Sequence, residues 1–133
     1  SGGFAAEIRQ AALDLAGRDD VRAVVVESAS DRAFIGGADV NDLCAVETPA
    51  EGERLIRNLQ QMIAAYRDLP MPVIAAIDGP CIGAGMEFVA ACDIRIASTR
   101  AVFGMPETKL GIPSVIEAAL LPRLLGHHPI YVF

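Results

Sequence analysis

The chain has 133 residues, of which 53% are hydrophobic, and this length and composition predict one folded domain with a substantial core and argue against disorder. The formal net charge of −6 at pH 7 argues against nucleic acid or an anionic membrane surface as a partner, because both are bound through clustered Lys and Arg. No continuous apolar stretch of about 18 residues and no basic segment followed by an apolar one is found, so the sequence predicts neither a membrane span nor a signal peptide.

The first half of the chain alternates helix and strand signals. Apolar residues recur at helical spacing from Phe4 to Leu15, and Gly17 can close that helix. The β-branched run "VRAVVVES" predicts a buried strand, and the glycine-containing segment "SDRAFIGGADVNDL" then interrupts regular structure. A second amphipathic helix is predicted over residues 50–68 and ended by the prolines at 70 and 72.

The second half continues this alternation. "VIAAID" predicts a second buried strand, "MEFVAAC" a helix packed on all sides, and "DIRIAS" and "AVFGM" two further short strands. A closing helix is predicted through "SVIEAALLPRLL". The fold class that this order indicates is α/β, with a mostly parallel sheet and crossover helices, in a single domain over residues 1–133.

The three cysteines are Cys44, Cys81 and Cys92. They lack the C-x-x-C spacing of a metal site, and their odd number is a poor basis for a disulfide framework. We therefore expect reduced core thiols, no metal site, and a cytoplasmic location.

The glycine turn at Gly83, Ala84 and Gly85 raises the question of a dinucleotide site, since such a turn between a strand and a helix can hold a pyrophosphate. Phe88 occupies the position of the third glycine, and the charge of Glu87 would repel phosphates from the first turn of the helix. Walker-type phosphate loops and the G-x-S-x-G element of serine hydrolases are also absent. These comparisons disfavour nucleotide binding and serine hydrolysis.

Two glycine-rich turns, at 36–38 and 83–85, and two acids, Glu87 and Glu107, fit a different chemistry. One backbone N–H from each turn would form an oxyanion hole, which stabilises the negative charge on a carbonyl oxygen as an enolate develops. The glutamates would move protons at the neighbouring carbons. Apolar surroundings would raise their pKa values, and we expect these to include Phe88, Phe103 and Met105. The ordinary alternatives are that Glu87 only caps its helix and that Glu107 lies in a surface loop.

Three ordered segments carry a resemblance to a known family: "DRAFIGGADV", "PVIAAIDGPCIGAGMEFVAACDIRIAS" and "AVFGMPETKLGI". They resemble the signature segments of the crotonase superfamily, also called the enoyl-CoA hydratase/isomerase family, and the similarity runs from about Glu7 to Gly126. The resemblance implies a crotonase-like core, a spiral of ββα units. It also implies that the N-terminal strands and the C-terminal trimerisation helices of the family fold are missing.

The resemblance also implies roles for individual residues. The N–H groups of Ala38 and Ala84 would form the oxyanion hole, and Glu87 and Glu107 would be the catalytic pair, of which one activates water and the other supplies the α-carbon proton. The residues expected to contact substrate are Gly37, Asp39, Gly83, Gly85 and Phe103, although Asp39 also suits a helix cap. The substrate would be an acyl-CoA thioester, with no cofactor apart from the coenzyme A that it carries.

The predicted function is hydration of an α,β-unsaturated CoA thioester, because many isomerases of the family keep only one of the two acids. Isomerase, decarboxylase or thioester hydrolase chemistry remains an alternative, as does a non-catalytic fragment that binds acyl-CoA or partner subunits. The full-length form is expected to be a homo-oligomer, either a trimer or a hexamer.

Several positions depart from the family pattern or have ordinary explanations. Ala84 stands where glycine is common, and its N–H is kept provided that its φ is negative. "GIPSVIEAALLPRL" replaces a more glycine-rich family segment, which leaves the substrate range open. Asp93 is expected to orient a neighbouring element. Three arginines are predicted to be solvated, with contact to coenzyme A phosphates as the alternative: Arg22, Arg32 and Arg95.

Overall fold

A computed structural model describes residues 2–36 and 45–105. In these ranges helices and short strands alternate, as the sequence predicts. The helices are α1 (Gly2–Ala16), α2 (Pro49–Arg67) and α3 (Ala84–Ala91), and the strands are β1 (Val24–Val26), β2 (Val73–Ile77), β3 (Pro80–Ile82), β4 (Ile94–Ala97) and β5 (Val102–Gly104).

The strands form two parallel sheets. The first has the order β1-β2-β4 and the second pairs β3 with β5. This confirms the predicted α/β class with parallel pairing and crossover helices, because parallel neighbours need a long connection, which here includes a helix between β1 and β2 and between β2 and β4.

One face of the three-stranded sheet carries the core. Val24, Val73 and Ala75 are buried there, and they pack in one cluster with Ile63 and Tyr66 of α2. The opposite face is apolar but exposed, because Val25, Ile74 and Ile94 lie in register across the strands, with Val25 and Ile94 exposed by 57% and 47%. Parallel sheets are usually covered on both faces, whereas this sheet exposes one among the described residues.

Helix α2 shows how the local sequence sets an element's bounds. Thr48 precedes it, and its hydroxyl accepts a hydrogen bond from the Glu51 N–H at 3.3 Å. The Glu51 carboxylate accepts in return from the Thr48 N–H at 3.1 Å, which completes a capping box. Pro49 suits the first turn because its missing N–H would have no partner there. The helix ends before Pro70, close to the predicted bounds.

One stretch differs from the prediction. The segment before Gly83 forms strand β3, which the sequence did not predict, and α3 begins at Ala84 instead of Met86. Pro80 is the first residue of β3, a strand position that tolerates proline, and its carbonyl accepts a hydrogen bond from the Phe34 N–H at 2.9 Å. The strand therefore exists because of a distant partner segment that local propensity does not report.

The closing helix predicted through residues 114–125 lies outside the described residues. Within the ranges that the structure describes, no helix combines the length and apolar character needed to cross a bilayer.

We expect Thr48→Ala to lower the free energy of unfolding by about 1 kcal/mol, because the α2 N-cap loses its side-chain acceptor. Thr48→Ser keeps the hydroxyl and is the matched control, with stability close to that of the original protein. Urea denaturation followed by circular dichroism measures both. Equal stability of the Ala and Ser variants would contradict the capping role.

Candidate active site

The turn that begins α3 depends on Gly83. Its φ is 56° and its ψ is −121°, a backbone conformation that residues with a side chain rarely adopt. Its N–H donates to the Gly104 carbonyl at 2.8 Å, and its own carbonyl accepts from the N–H groups of Met86 at 2.9 Å and Glu87 at 3.2 Å. Gly83 therefore joins the sheet formed by β3 and β5 to the first turn of α3.

The next two amides lie at the N-terminus of the helix. Within residues 2–36 and 45–105, the N–H groups of Ala84 and Gly85 have no backbone acceptor, as is normal for the first residues of a helix. Ala84 does not have a positive φ, so alanine fits at this position without backbone strain. Such amides, with the positive end of the helix dipole, attract a negatively charged oxygen.

Ile35, which directly precedes the first glycine-rich turn, is bonded to the strand that leads into Gly83. Ile35 forms a parallel bridge with Cys81, and its carbonyl accepts a hydrogen bond from the Ile82 N–H at 2.9 Å. Phe34 and Ile35 are thus hydrogen-bonded to β3, the strand that leads into Gly83. Gly37, Ala38 and Asp39 follow directly in sequence but lie outside the described residues.

The structure gives a packing reason for glycine at position 85, and the expected contact of Gly85 with substrate stays a prediction. It lies inside α3 without a positive φ, so it does not supply turn freedom. A Cβ at this position would lie 2.7 Å from the Ile35 Cβ and 2.8 Å from the Ile35 carbonyl oxygen, well inside van der Waals contact. Gly85 is glycine because the backbone of α3 and the chain at Ile35 pack against one another here.

Glu87 is the one buried charged residue of the described ranges, with an exposed fraction of 1%. It lies in the first turn of α3, where the helix dipole favours a negative charge. A carboxylate that only caps a helix is ordinarily solvated, and burial of a carboxyl group carries a large desolvation cost. The burial therefore disfavours the simple capping interpretation. Glu107, the second predicted acid, lies outside the described residues.

The apolar residues expected around the acids divide into two groups. Phe88 is 3% exposed, and its ring meets the ring of Tyr66 edge-on with centroids 5.1 Å apart. Met105 is 4% exposed and packs beside Ala90. Phe103, by contrast, lies on β5 and is 41% exposed, so the described residues do not enclose it.

Arg95 has a structural function that the sequence reading missed. Its Nη1 donates to the carbonyl oxygens of Cys92 at 2.5 Å and Val89 at 3.2 Å, at the C-terminal end of α3, where a cation is favoured. Arg95 is exposed, as predicted, and these additional bonds, which the sequence analysis did not predict, hold its side chain at the helix end. The sequence signal for this contact is the position of Arg95 just after an apolar helix, where a basic side chain can bond the last carbonyl groups of the helix.

Asp93 connects α3 to the sheet, as expected. Its carboxylate accepts from the Val73 N–H at 2.8 Å, and its own N–H donates to the Val73 carbonyl at 2.9 Å. This pair of bonds sets where β4 begins relative to β2, at the end of α3.

Two of the three cysteines are described, and both are free, buried thiols, as predicted. Burial raises the pKa of Cys81 to about 12 and that of Cys92 to about 11. Both side chains therefore stay protonated near neutral pH and have little nucleophilic character. Cys44 lies outside the described residues, and the cytoplasmic location stays a prediction.

These features together describe an α/β protein in which a glycine turn presents helix N-terminal amides beside a buried carboxyl group. Comparison with known proteins gives the family. The family model described as enoyl-CoA hydratase/isomerase matches residues 1–130, so the chain belongs to the enoyl-CoA hydratase/isomerase family. This confirms the resemblance stated from the sequence.

Individual relatives agree with this assignment. The chain is 39% identical over 129 residues to the fatty acid oxidation complex subunit alpha of Vibrio campbellii, an alignment that covers 95% of this chain and 18% of that protein. It superposes on an enoyl-CoA hydratase of Bacillus anthracis with a TM-score of 0.87 and 31% identity, covering 95% of this chain and 49% of that one.

A third relative is an enoyl-CoA hydratase/carnithine racemase of Magnetospirillum magneticum, with a TM-score of 0.88 and 26% identity, covering 95% of this chain and 48% of that one. These crystal structures support the expected crotonase-like fold. The chain spans about half the length of these solved structures and a smaller share of the Vibrio protein.

We expect Gly83→Ala to lower the free energy of unfolding by about 1–3 kcal/mol, because the new side chain is strained at this φ and ψ. Gly104→Ala is the matched control at the other end of the same hydrogen bond. Its Cβ would meet the Ile82 Cδ1 at an ordinary 3.6 Å, and its φ is not positive. Thermal unfolding distinguishes them, and a Gly83 variant no less stable than the Gly104 variant would contradict the assigned backbone role.

Proposed function

We propose that the protein of which this chain forms at least part is an enoyl-CoA hydratase that adds water across the double bond of an α,β-unsaturated CoA thioester. The observation that carries the proposal is the buried Glu87 carboxyl group in the first turn of a helix whose leading amides, at Ala84 and Gly85, have no backbone acceptor among the described residues. Membership of the family supplies the thioester class.

In the proposed mechanism, the Ala84 N–H and the Ala38 N–H donate hydrogen bonds to the thioester carbonyl oxygen. Support for the pairing comes from the described chain at Ile35, which is bonded to β3 and lies three residues before Ala38. Amides fixed by the fold stabilise charge on the oxygen without reorganising during the reaction.

Glu87 and Glu107 are the proposed proton-transfer groups. One carboxylate takes a proton from water while the water oxygen bonds to the β-carbon, and the π electrons of the double bond move towards the carbonyl to give an enolate. The other carboxylic acid gives its proton to the α-carbon as the carbonyl re-forms. The product is the β-hydroxyacyl thioester, and one molecule of water is consumed.

The remaining contacts are also proposals. Gly37, Asp39 and Gly83 would line the thioester site with Gly85, and Phe103 would contact the acyl part. The reaction needs no metal or redox cofactor, and coenzyme A enters only as part of the substrate. We also propose a homo-oligomer, a trimer or a hexamer, and the exposed apolar face at Val25, Ile94 and Ile96 supports additional protein contacts.

We expect Glu87→Gln and Glu107→Gln each to lower the hydration rate of crotonyl-CoA by about 10²–10⁴-fold while leaving thioester binding largely intact, because the amide keeps the side-chain shape but cannot exchange the proton. Loss of absorbance from the conjugated double bond measures the rate, and calorimetry with a saturated acyl-CoA measures binding.

Glu53→Gln is the control, since Glu53 is an exposed helix residue paired with Arg57, and its rate should equal that of the original protein. Near-original rates in both acid variants would reject the assignment. Double-bond migration without hydration in the original protein would instead support an isomerase, which product analysis by mass spectrometry and NMR separates.

A further inference from the structure

We propose that Gly85 is a positioning residue, which sets the place of the Ala84 amide and the Glu87 carboxyl relative to the chain at Ile35. This inference rests on the proposed function, since it concerns the same site. It assigns a geometric task to a residue that touches neither the reacting carbons nor the thioester oxygen in the mechanism above.

Gly85 and Ile35 lie so close together that no side chain fits between them. An added Cβ on Gly85 would lie 2.7 Å from the Ile35 Cβ, 2.8 Å from its Cγ2 and 2.8 Å from its carbonyl oxygen. Two of these three atoms, the Cβ and the carbonyl oxygen, move only with the backbone. A methyl group at Gly85 therefore cannot be accommodated by turning the Ile35 side chain.

Hydrogen bonds of its backbone hold Ile35 in place. Its carbonyl oxygen accepts from the Ile82 N–H at 2.9 Å, and its N–H donates to the Pro80 carbonyl at 3.3 Å. Both partners belong to β3, which is paired along its length with β5. The contact would thus be relieved mainly by moving α3.

A movement of α3 would displace the two groups that the proposed mechanism takes from this helix. Ala84 directly precedes Gly85, and Glu87 follows it by two residues in the same helical turn. A shift of the first turn of α3 displaces the amide and the carboxyl together. Misplacement by about 1 Å is enough to cost about 10²-fold in rate when groups must meet a substrate in one geometry.

Three other glycines of the described ranges lack so tight a contact. A Cβ on Gly36 would meet nothing within 4 Å, and one on Gly52 or Gly104 would meet a side-chain atom at 3.4 Å or 3.6 Å. Gly52 lies inside α2, so Gly52→Ala is a matched change of a helical glycine away from the site.

The test uses the protein at its full natural length and a chromophoric probe, cinnamoyl-CoA. Hydrogen bonding to the thioester carbonyl draws electron density along the conjugated system, so the absorption maximum of the bound probe moves to longer wavelength. This shift, measured at saturating protein, reports carbonyl polarisation per bound molecule. Loss of folded protein lowers the amount bound but does not change the shift of the molecules that do bind.

For Gly85→Ala we expect a smaller red shift of the bound probe and a kcat for crotonyl-CoA hydration lower by about 10²-fold, with KM little changed. Gly52→Ala should match the original protein in both quantities. If Gly85→Ala does not fold, Ile35→Ala replaces it: this variant removes the Ile35 Cγ2 that lies beside Gly85 without overpacking, and it should also reduce the shift and kcat, by less.

The outcomes separate this inference from the proposed function. An original protein that neither hydrates crotonyl-CoA nor shifts the probe spectrum would reject the proposed function itself. An active original protein with a full spectral shift and unchanged kcat in Gly85→Ala, or in Ile35→Ala where that variant is used, would overturn the positioning role alone. A fall in folded fraction with an unchanged shift per bound probe would likewise overturn it, since that is the result of a purely structural glycine.

Discussion

The close packing of Ile35 against the first turn of α3 is the constraint on which the site depends. It requires glycine at position 85, because any Cβ there would overlap Ile35. Hydrogen bonds between Ile35 and β3 also place the residue just before the first glycine-rich turn beside the strand that leads into the second. The buried carboxyl of Glu87 and the amide of Ala84 take their places from the same helical turn.

Burial of Glu87 is costly for stability and is therefore informative about function. Burying a carboxyl group carries a desolvation cost, and a carboxyl group that a protein keeps in its interior despite that cost is a candidate for a catalytic role. The surrounding elements are fixed by structural interactions of their own. Arg95 bonds the C-terminal carbonyls of α3, Asp93 joins the helix end to β2, and Phe88 packs on Tyr66.

The sequence predicts what local patterns encode. Apolar spacing gave α1 and α2 nearly to their ends, and the β-branched runs gave β1 and β2, because helix and strand periods differ. It missed β3, whose pairing partners at Phe34, Ile35 and β5 are distant in sequence. It also did not predict the packing of Gly85 against Ile35, since a close approach between two segments leaves no local signal. The roles of Glu107 and Ala38 stay predictions from the family resemblance.

A crystal structure of the full-length protein with bound acetoacetyl-CoA tests the central claim most directly, because this thioester carries the carbonyl oxygen that the site is proposed to hold. We expect the thioester oxygen within about 3 Å of the Ala84 N–H nitrogen, a hydrogen-bonding distance, with the Glu87 carboxylate facing the α- and β-carbons. A thioester oxygen bound elsewhere, or a Glu87 carboxylate directed away from those carbons, would contradict the proposed active site.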